Sequence, residues 1–184
     1  MYKKYFKRLL DIIFSITLMF LLLPITVLVG LLCKLNTGNM LFMQKRNGKH
    51  KKSFIMYKFC SMKSIDGTYL ERTTKVTRLL RAFGLDELPQ LFNILKGDMS
   101  FIGPRPFITG EKLPIEPSDK IYTVRPGVIS LAIAQGRRTV SHENRLKYDE
   151  VYASNVTFRQ DVVILLKTLG VIFKQNKRGD VCKK

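Results

Sequence analysis

The chain has 184 residues, 32 of them Lys or Arg against 14 Asp or Glu, for a formal net charge of +18. That length allows one domain with one appended element, and the charge implies a polyanionic partner: nucleic acid, an anionic membrane surface or a phosphate-rich substrate. The basic residues are spread along the whole chain, with no long Lys/Arg block and no Gly/Ser-rich tail, which favours a protein lying on a membrane over one with a nucleic-acid-binding arm. Three cysteines (Cys33, Cys60, Cys182) have no ligand-type spacing, which argues against a disulfide framework or a zinc site and fits a reducing, cytosolic compartment. Cys33, at the end of an apolar run, is expected to be a small buried residue.

From Ile12 to Cys33 there is no charged residue. As one straight helix, this run would cover roughly the ~30 Å hydrocarbon core of a bilayer. Lys34 ends it with no small-residue cleavage site, so the segment is expected to be retained. Pro24 lies in its middle and removes a backbone donor, which kinks a helix. Both flanks are basic: Lys3, Lys4, Lys7 and Arg8 before, and Lys34, Lys45, Arg46, Lys49, Lys51 and Lys52 after. Lys- and Arg-rich flanks prefer the cytoplasmic side. Two arrangements therefore stay open, a bent re-entrant helix and a proline-kinked span. Arg8 and Asp11, three apart on one helix face, form a candidate interfacial pair in which the arginine neutralises the carboxylate.

Beyond this segment, residues 40–43 and 54–57 read as a short strand pair, with Asn47-Gly48 as the turn signal. Asp66-Gly67 marks another turn. A helix is expected over 74–83, closed by Gly84, and a second over 87–96, closed by Gly97, with Pro89 tolerated in the first turn. Residues 112–119 read as a loop, Arg125-Pro126-Gly127 as a turn, and 128–134 as an apolar stretch. Two more helices are expected, over 143–153 and 158–175. In the last, Phe158, Val162, Leu165, Leu166, Leu169, Ile172 and Phe173 make an apolar stripe flanked by Lys167 and Lys174. Core packing is the commoner explanation for such a stripe, and a place on a membrane surface is the other.

Asp86 and Glu87 precede the second helix, where the macrodipole favours anions. An isolated Asp-Glu there is usually a cap. Here the neighbourhood adds Arg81 one turn upstream, Lys58 from the strand pair, and Arg105 braced by Pro104 and Pro106. A carboxylate kept ionised beside fixed cations suits covalent phosphoryl transfer, in which aspartate attacks phosphorus to form an acyl phosphate. Cations and a divalent metal would neutralise the phosphates. The chain lacks a Walker A loop, a G-x-S-x-G elbow and a G-x-G-x-x-G fingerprint, and His50 and His142 have no partner at metal spacing.

The motifs Lys7-Arg8-x-x-Asp11, Gln44-x-Arg46-x-Gly48, Tyr57-Lys58-Phe59-x-Ser61-Met62, Asp86-Glu87-Leu88-Pro89-Gln90-Leu91, Gly97-Asp98-Met99-Ser100, Gly103-Pro104-Arg105-Pro106, Val124-Arg125-Pro126-Gly127 and Tyr148-Asp149 occur in this order. Together they make the chain resemble the monotopic phosphoglycosyl transferases, the bacterial sugar transferase family that initiates lipid-linked glycan assembly. The resemblance implies an α+β, mainly α fold. A re-entrant membrane helix at residues 1–36, with Pro24 at its bend and Lys7, Arg8 and Asp11 at the interface, would join a small cytosolic domain at 37–184 that carries a short β-hairpin and amphipathic interfacial helices. It also implies the chemistry. Asp86 attacks the β-phosphate of a UDP-sugar, UMP leaves, and a polyprenyl (undecaprenyl) phosphate takes the phosphosugar. Mg²⁺ would sit on Asp86, with Glu87 assisting through metal or proton handling. Arg105 would grip a phosphate, with Arg81, Lys58 and Arg125 as further anion contacts. The implied setting is the cytoplasmic face of a bacterial plasma membrane, among membrane lipids and downstream glycosyltransferases, with no nucleic acid.

Departures from the family pattern are Leu23 where serine is common, Cys60 where Lys or Arg is usual, and Ile129-Ser130-Leu131-Ala132-Ile133 in place of Thr-Gly-Leu-Ala-Gln. They motivate an alternative, a catalytically impaired member acting as a membrane adaptor in glycan assembly. A membrane-anchored nucleic-acid binder is a third class, resting on charge alone.

Overall fold

The computed structural model describes residues 1–136 and 140–177, with side chains through Val171. One π-helical turn, Tyr2–Phe6, runs into α1 (Lys7–Leu21), and α2 (Leu23–Thr37) follows directly. Pro24 falls in the first turn of α2, and the two helices meet at a 70° bend. The Thr26 hydroxyl donates to the Leu22 carbonyl at 2.8 Å, giving that bend a local partner where Leu23 offers none. Among the described residues no single helix is long and apolar enough to cross a membrane, whereas the bent pair passes that test together. Most of its apolar side chains are exposed, and only Asp11, Ser15, Val29, Gly30 and Cys33 are buried.

β1 (Leu41–Asn47) and β2 (Ser53–Phe59) form an antiparallel hairpin, longer at both strands than the apolar runs suggest. Gly48 is extended, and the reversal occurs at His50 and Lys51, both at positive φ (55° and 58°). The Asn47-Gly48 signal is thus displaced by three residues, because Gly48 is held extended by its hydrogen bond to the Lys52 carbonyl. After the single turn α3 (Tyr69–Arg72), α4 (Lys75–Phe83) starts in a Thr74–Thr77 capping box and stops at Gly84, φ 73°. The second expected helix divides into a 3₁₀ turn, Leu85–Glu87, and α5 (Gln90–Lys96), which ends at Gly97, φ 94°.

β3 (Ser100–Ile102) pairs in parallel with β4 (Gly127–Ile129), an element the sequence does not announce. At its end Gly103 donates to the Ile129 carbonyl and Gly127 to the Pro104 carbonyl, both at 2.9 Å. A Cβ on either glycine would collide with the facing backbone. Then come α6 (Leu131–Gly136), α7 (His142–Ser154) and α8 (Phe158–Lys177). On α8 the buried residues are Asp161, Ile164 and Thr168, while Phe158, Val162, Leu165, Leu166 and Leu169 are exposed. This corrects core packing as the account of the stripe: the polar Asp161 faces inward because it has partners there, and the stripe faces out. The side chains of Ile172, Phe173 and Lys174, and Cys182, lie outside the described residues.

Those partners tie the two ends of the chain together. Asp161 accepts from Lys7 Nζ and from the Tyr2 hydroxyl, each at 2.6 Å, and lies 2.8 Å from the Tyr152 hydroxyl. Replacing it (Asp161→Ala) strands a buried ammonium and is expected to destabilise the protein by about 3 kcal/mol, read as a lowered unfolding midpoint in detergent. Val151→Ala, on exposed surface, should stay within about 0.5 kcal/mol.

Candidate active site

The hairpin, the 3₁₀ turn and the Pro104–Pro106 segment surround one cavity of about 580 Å³. Asp86 lies in its wall, 6% exposed, at the turn between α4 and α5. Neither Asp86 nor Glu87 caps α5, whose first turn receives no side-chain bond. The helix-terminus account therefore gives way to a side-chain one. Asp86 Oδ2 accepts from the Ser61 hydroxyl at 3.0 Å and stands 4.0 Å from Arg81 Nη1, which also donates to Ser61 Oγ. Glu87 Oε1 is paired with Lys58 Nζ at 2.8 Å. Burial, followed by the adjacent Glu87 charge, pushes the Asp86 carboxyl above the usual aspartate range, while Lys58, Arg81 and the Ser61 hydrogen bond pull it back.

Arg46, Lys58, Arg72, Arg81, Arg105 and Arg145 all line the cavity, against the two carboxylates Asp86 and Glu87. The cations crowd one another: burial and then Arg105 lower the pKa of both Arg46 and Arg145. Such a surplus of buried-edge positive charge is built to receive an anion carrying several negative oxygens. Arg46, Arg72, Arg145 and Ser61 were not singled out from sequence. Arg46 and Ser61 lie inside motifs that could have flagged them, whereas Arg72 and Arg145 carry no local signal.

Arg105 is exposed, and its mount is rigid. Pro104 and Pro106 are buried, with the Pro106 carbonyl accepting from Arg46 Nη1 at 3.0 Å. The Arg105 N–H donates to Asp149 Oδ2 at 3.2 Å. Pro106 borders a smaller adjoining pocket of about 50 Å³, and Pro104 lines neither. Arg125 also stands apart from the cavity lining: its Nε donates to the Gly97 carbonyl at 2.8 Å, closing the C-terminal end of α5. Arg8 works beside it, bonding the Ile94 and Leu95 carbonyls. Asp11 accepts instead from the Ser100 hydroxyl and the Phe101 N–H, both at 3.1 Å, so the Arg8–Asp11 face is spent on anchoring rather than on a mutual pair. Among the described residues, no group of three or more His, Cys, Asp or Glu is placed to hold a metal. Two adjacent carboxylates on a cation-lined cavity nevertheless fit Mg²⁺, an ion that is held by one or two carboxylates with substrate phosphates and water completing the shell.

The family pattern of the bacterial sugar transferases matches residues 2–175. The chain belongs to the bacterial sugar transferase family. Among similar proteins, the undecaprenyl-phosphate galactose phosphotransferase of Salmonella typhimurium is 32% identical over 94% of this chain and 41% of its own length. The uncharacterized sugar transferase EpsL of Bacillus subtilis is 37% identical, covering 89% of this chain and 85% of its own. The UDP-glucose:undecaprenyl-phosphate glucose-1-phosphate transferase of Klebsiella pneumoniae is 35% identical over 89% of this chain and 39% of its own. The chain thus spans about four-tenths of the length of the Salmonella and Klebsiella relatives.

Asp149 makes the bracket around Arg105 sensitive to pH. It is 1% exposed, its Oδ1 has no partner among the described residues, and burial pushes its pKa up to about 7 against the Arg105 and Arg145 attractions. The folded state therefore keeps a proton that the unfolded chain releases near pH 4. Stability from this group is complete below about pH 4 and is lost as pH rises toward about 7. Asp149→Asn is expected to flatten that slope, so the difference in unfolding midpoint between pH 5 and pH 8 shrinks relative to the unmodified chain.

Proposed function

We propose that the protein transfers a sugar 1-phosphate from a UDP-sugar to a polyprenyl phosphate, through a phosphosugar carried on Asp86. The observation that carries this reading is a buried aspartate in a cavity with six cationic side chains. Relatives named for transfer to undecaprenyl phosphate support the acceptor class.

An Asp86 carboxylate oxygen attacks the β-phosphorus of the donor, and the bond to the bridging oxygen breaks toward UMP. The departing charge is received by cations already in place, so little reorganisation is needed as it develops. A phosphate oxygen of the acceptor then attacks the same phosphorus, giving polyprenyl diphosphate-sugar and returning the Asp86 carboxylate. Lys58, Arg81 and Ser61 pull Asp86 toward its ionised form against burial and the Glu87 charge, and the Ser61 hydrogen bond fixes its orientation. Asp86, with Glu87, would hold Mg²⁺ together with the donor phosphates. When bound, the ion supplies further neutralisation of negative charge.

The bent apolar pair α1–α2 suits a hairpin that dips into the cytoplasmic leaflet of a bacterial plasma membrane and returns to the same face. The outward apolar face of α8 suits the surface beside it. The adaptor alternative draws on Cys60 and Ile133, both in the cavity wall. The grouping of Asp86, Glu87, Lys58, Arg81 and Arg105 around one cavity favours the enzyme.

Incubated with Mg²⁺ and a panel of UDP-sugars without acceptor, the intact protein is expected to gain the mass of one phosphosugar. Asp86→Asn should gain none. No adduct with any donor from folded protein would transfer the weight to the adaptor. Ser61→Ala removes a hydrogen bond that favours the ionised Asp86. The acid limb of kcat/KM should therefore move to higher pH, with activity lost on that limb.

A further inference from the structure

The cavity is polar at its centre and apolar at one rim. Phe83 of α4 and Leu169 of α8 both line it and are 48% and 45% exposed, so the cavity reaches the surface between them. Each stands at the end of an outward apolar face, Val76, Leu79 and Phe83 on α4, and Val162, Leu165, Leu166 and Leu169 on α8. α4 also packs against α2, whose Val27, Leu28 and Leu31 are exposed. The helix that carries Phe83 thus sits beside a helix of the bent pair that has bare apolar residues of its own. Thr168, 2% exposed, also lines the cavity, and its Oγ1 has no partner among the described residues.

We propose that this rim is the doorway through which the isoprenoid chain of the acceptor leaves the cavity. The phosphate head lies among the cavity cations with the Thr168 hydroxyl donating to it. The first isoprene units pass between Phe83 and Leu169, and the rest of the chain follows the outward faces of α4 and α8. The inference rests on the sugar-phosphate transfer reading and adds the acceptor's path to it. An amphiphile with an anionic head and a long apolar tail needs cations and a dry apolar exit side by side, because misplacing either part is costly. A UDP-sugar is polar throughout and has no use for such an exit. The unpartnered Thr168 hydroxyl marks where the two environments meet, since a ligand oxygen there relieves a buried donor.

Transfer to a long polyprenyl phosphate and to a two-isoprene phosphate, measured on the full chain in detergent, separates the possibilities. Phe83→Ser and Leu169→Ser are expected to raise KM for the long acceptor about tenfold. KM for the short acceptor should change much less, and KM for the donor should hold. Val151→Ser, an exposed apolar residue on α7, serves as the control and should match the unmodified chain with both acceptors. An equal rise for both acceptors, or no change for either, overturns the doorway. A benzophenone-bearing polyprenyl phosphate gives a readout independent of turnover. Labelling on α4 and α8 supports the doorway even in a chain that transfers nothing, and labelling confined to α7 or the β1–β2 hairpin overturns it. Absence of transfer by the unmodified chain counts against the transfer reading alone.

Discussion

One helical turn, Lys7 to Asp11, holds the molecule together. Its three ionic side chains go to three different elements. Lys7 reaches Asp161 on α8, Arg8 takes two carbonyls at the end of α5, and Asp11 accepts from the start of β3. The buried residues of α1 are the polar Asp11 and Ser15, and the apolar burial of the pair is carried by Val29 and Cys33 on α2, so apolar burial does little to fix the angle of α1 to the rest of the chain. Charge-assisted hydrogen bonds do so instead, because they are directional where the hydrophobic effect is not. The closed C-terminal end of α5 in turn steadies the loop before β3, and β3 carries the strand that delivers Gly103 and the Arg105 bracket.

The same economy shapes the cavity. Among the described residues, six cations come from the hairpin, α3, α4, the proline bracket and α7, and two carboxylates face them. Like charges at such proximity are tolerable when each guanidinium is tied to a fixed acceptor, as Arg46 is to Pro106 and Gln44. The close approach of Gly103 to Gly127 locks the bracket from behind. Arg72 and Arg145 are likewise tied to carbonyls, of Lys63 and Val140, while Arg81 is held by the Ser61 hydroxyl and Lys58 by Glu87.

Much of this was legible residue by residue. Gly84 and Gly97 announce helix ends through left-handed termini, and each does so where expected. Pro24 announces the bend. The parallel pair β3–β4 was not legible, because three-residue strands show no period and their partner lies 27 positions away, Ser100 against Gly127. Core packing, the commoner of the two accounts of the α8 stripe, failed for a related reason. Periodicity assumes that apolar residues turn inward, but Asp161 is held inside by Tyr2, Lys7 and Tyr152, and these come from elements remote in sequence. Asp86 and Glu87 were found from their type and neighbours, while the α-helical N-terminus assigned to them is a 3₁₀ turn. Arg72 and Arg145 reach the cavity only through tertiary packing, which no local pattern records.

The outward stripe on α8 bears on how the chain is handled outside a bilayer. Cutting away the bent helix pair would not leave a water-soluble remainder. Phe59 and Leu80 would lose their cover from Val29 and Cys33, and Leu79, Phe83, Leu165, Leu166 and Leu169 are bare already. Exposed apolar surface is distributed over the body as well as concentrated in its first helices.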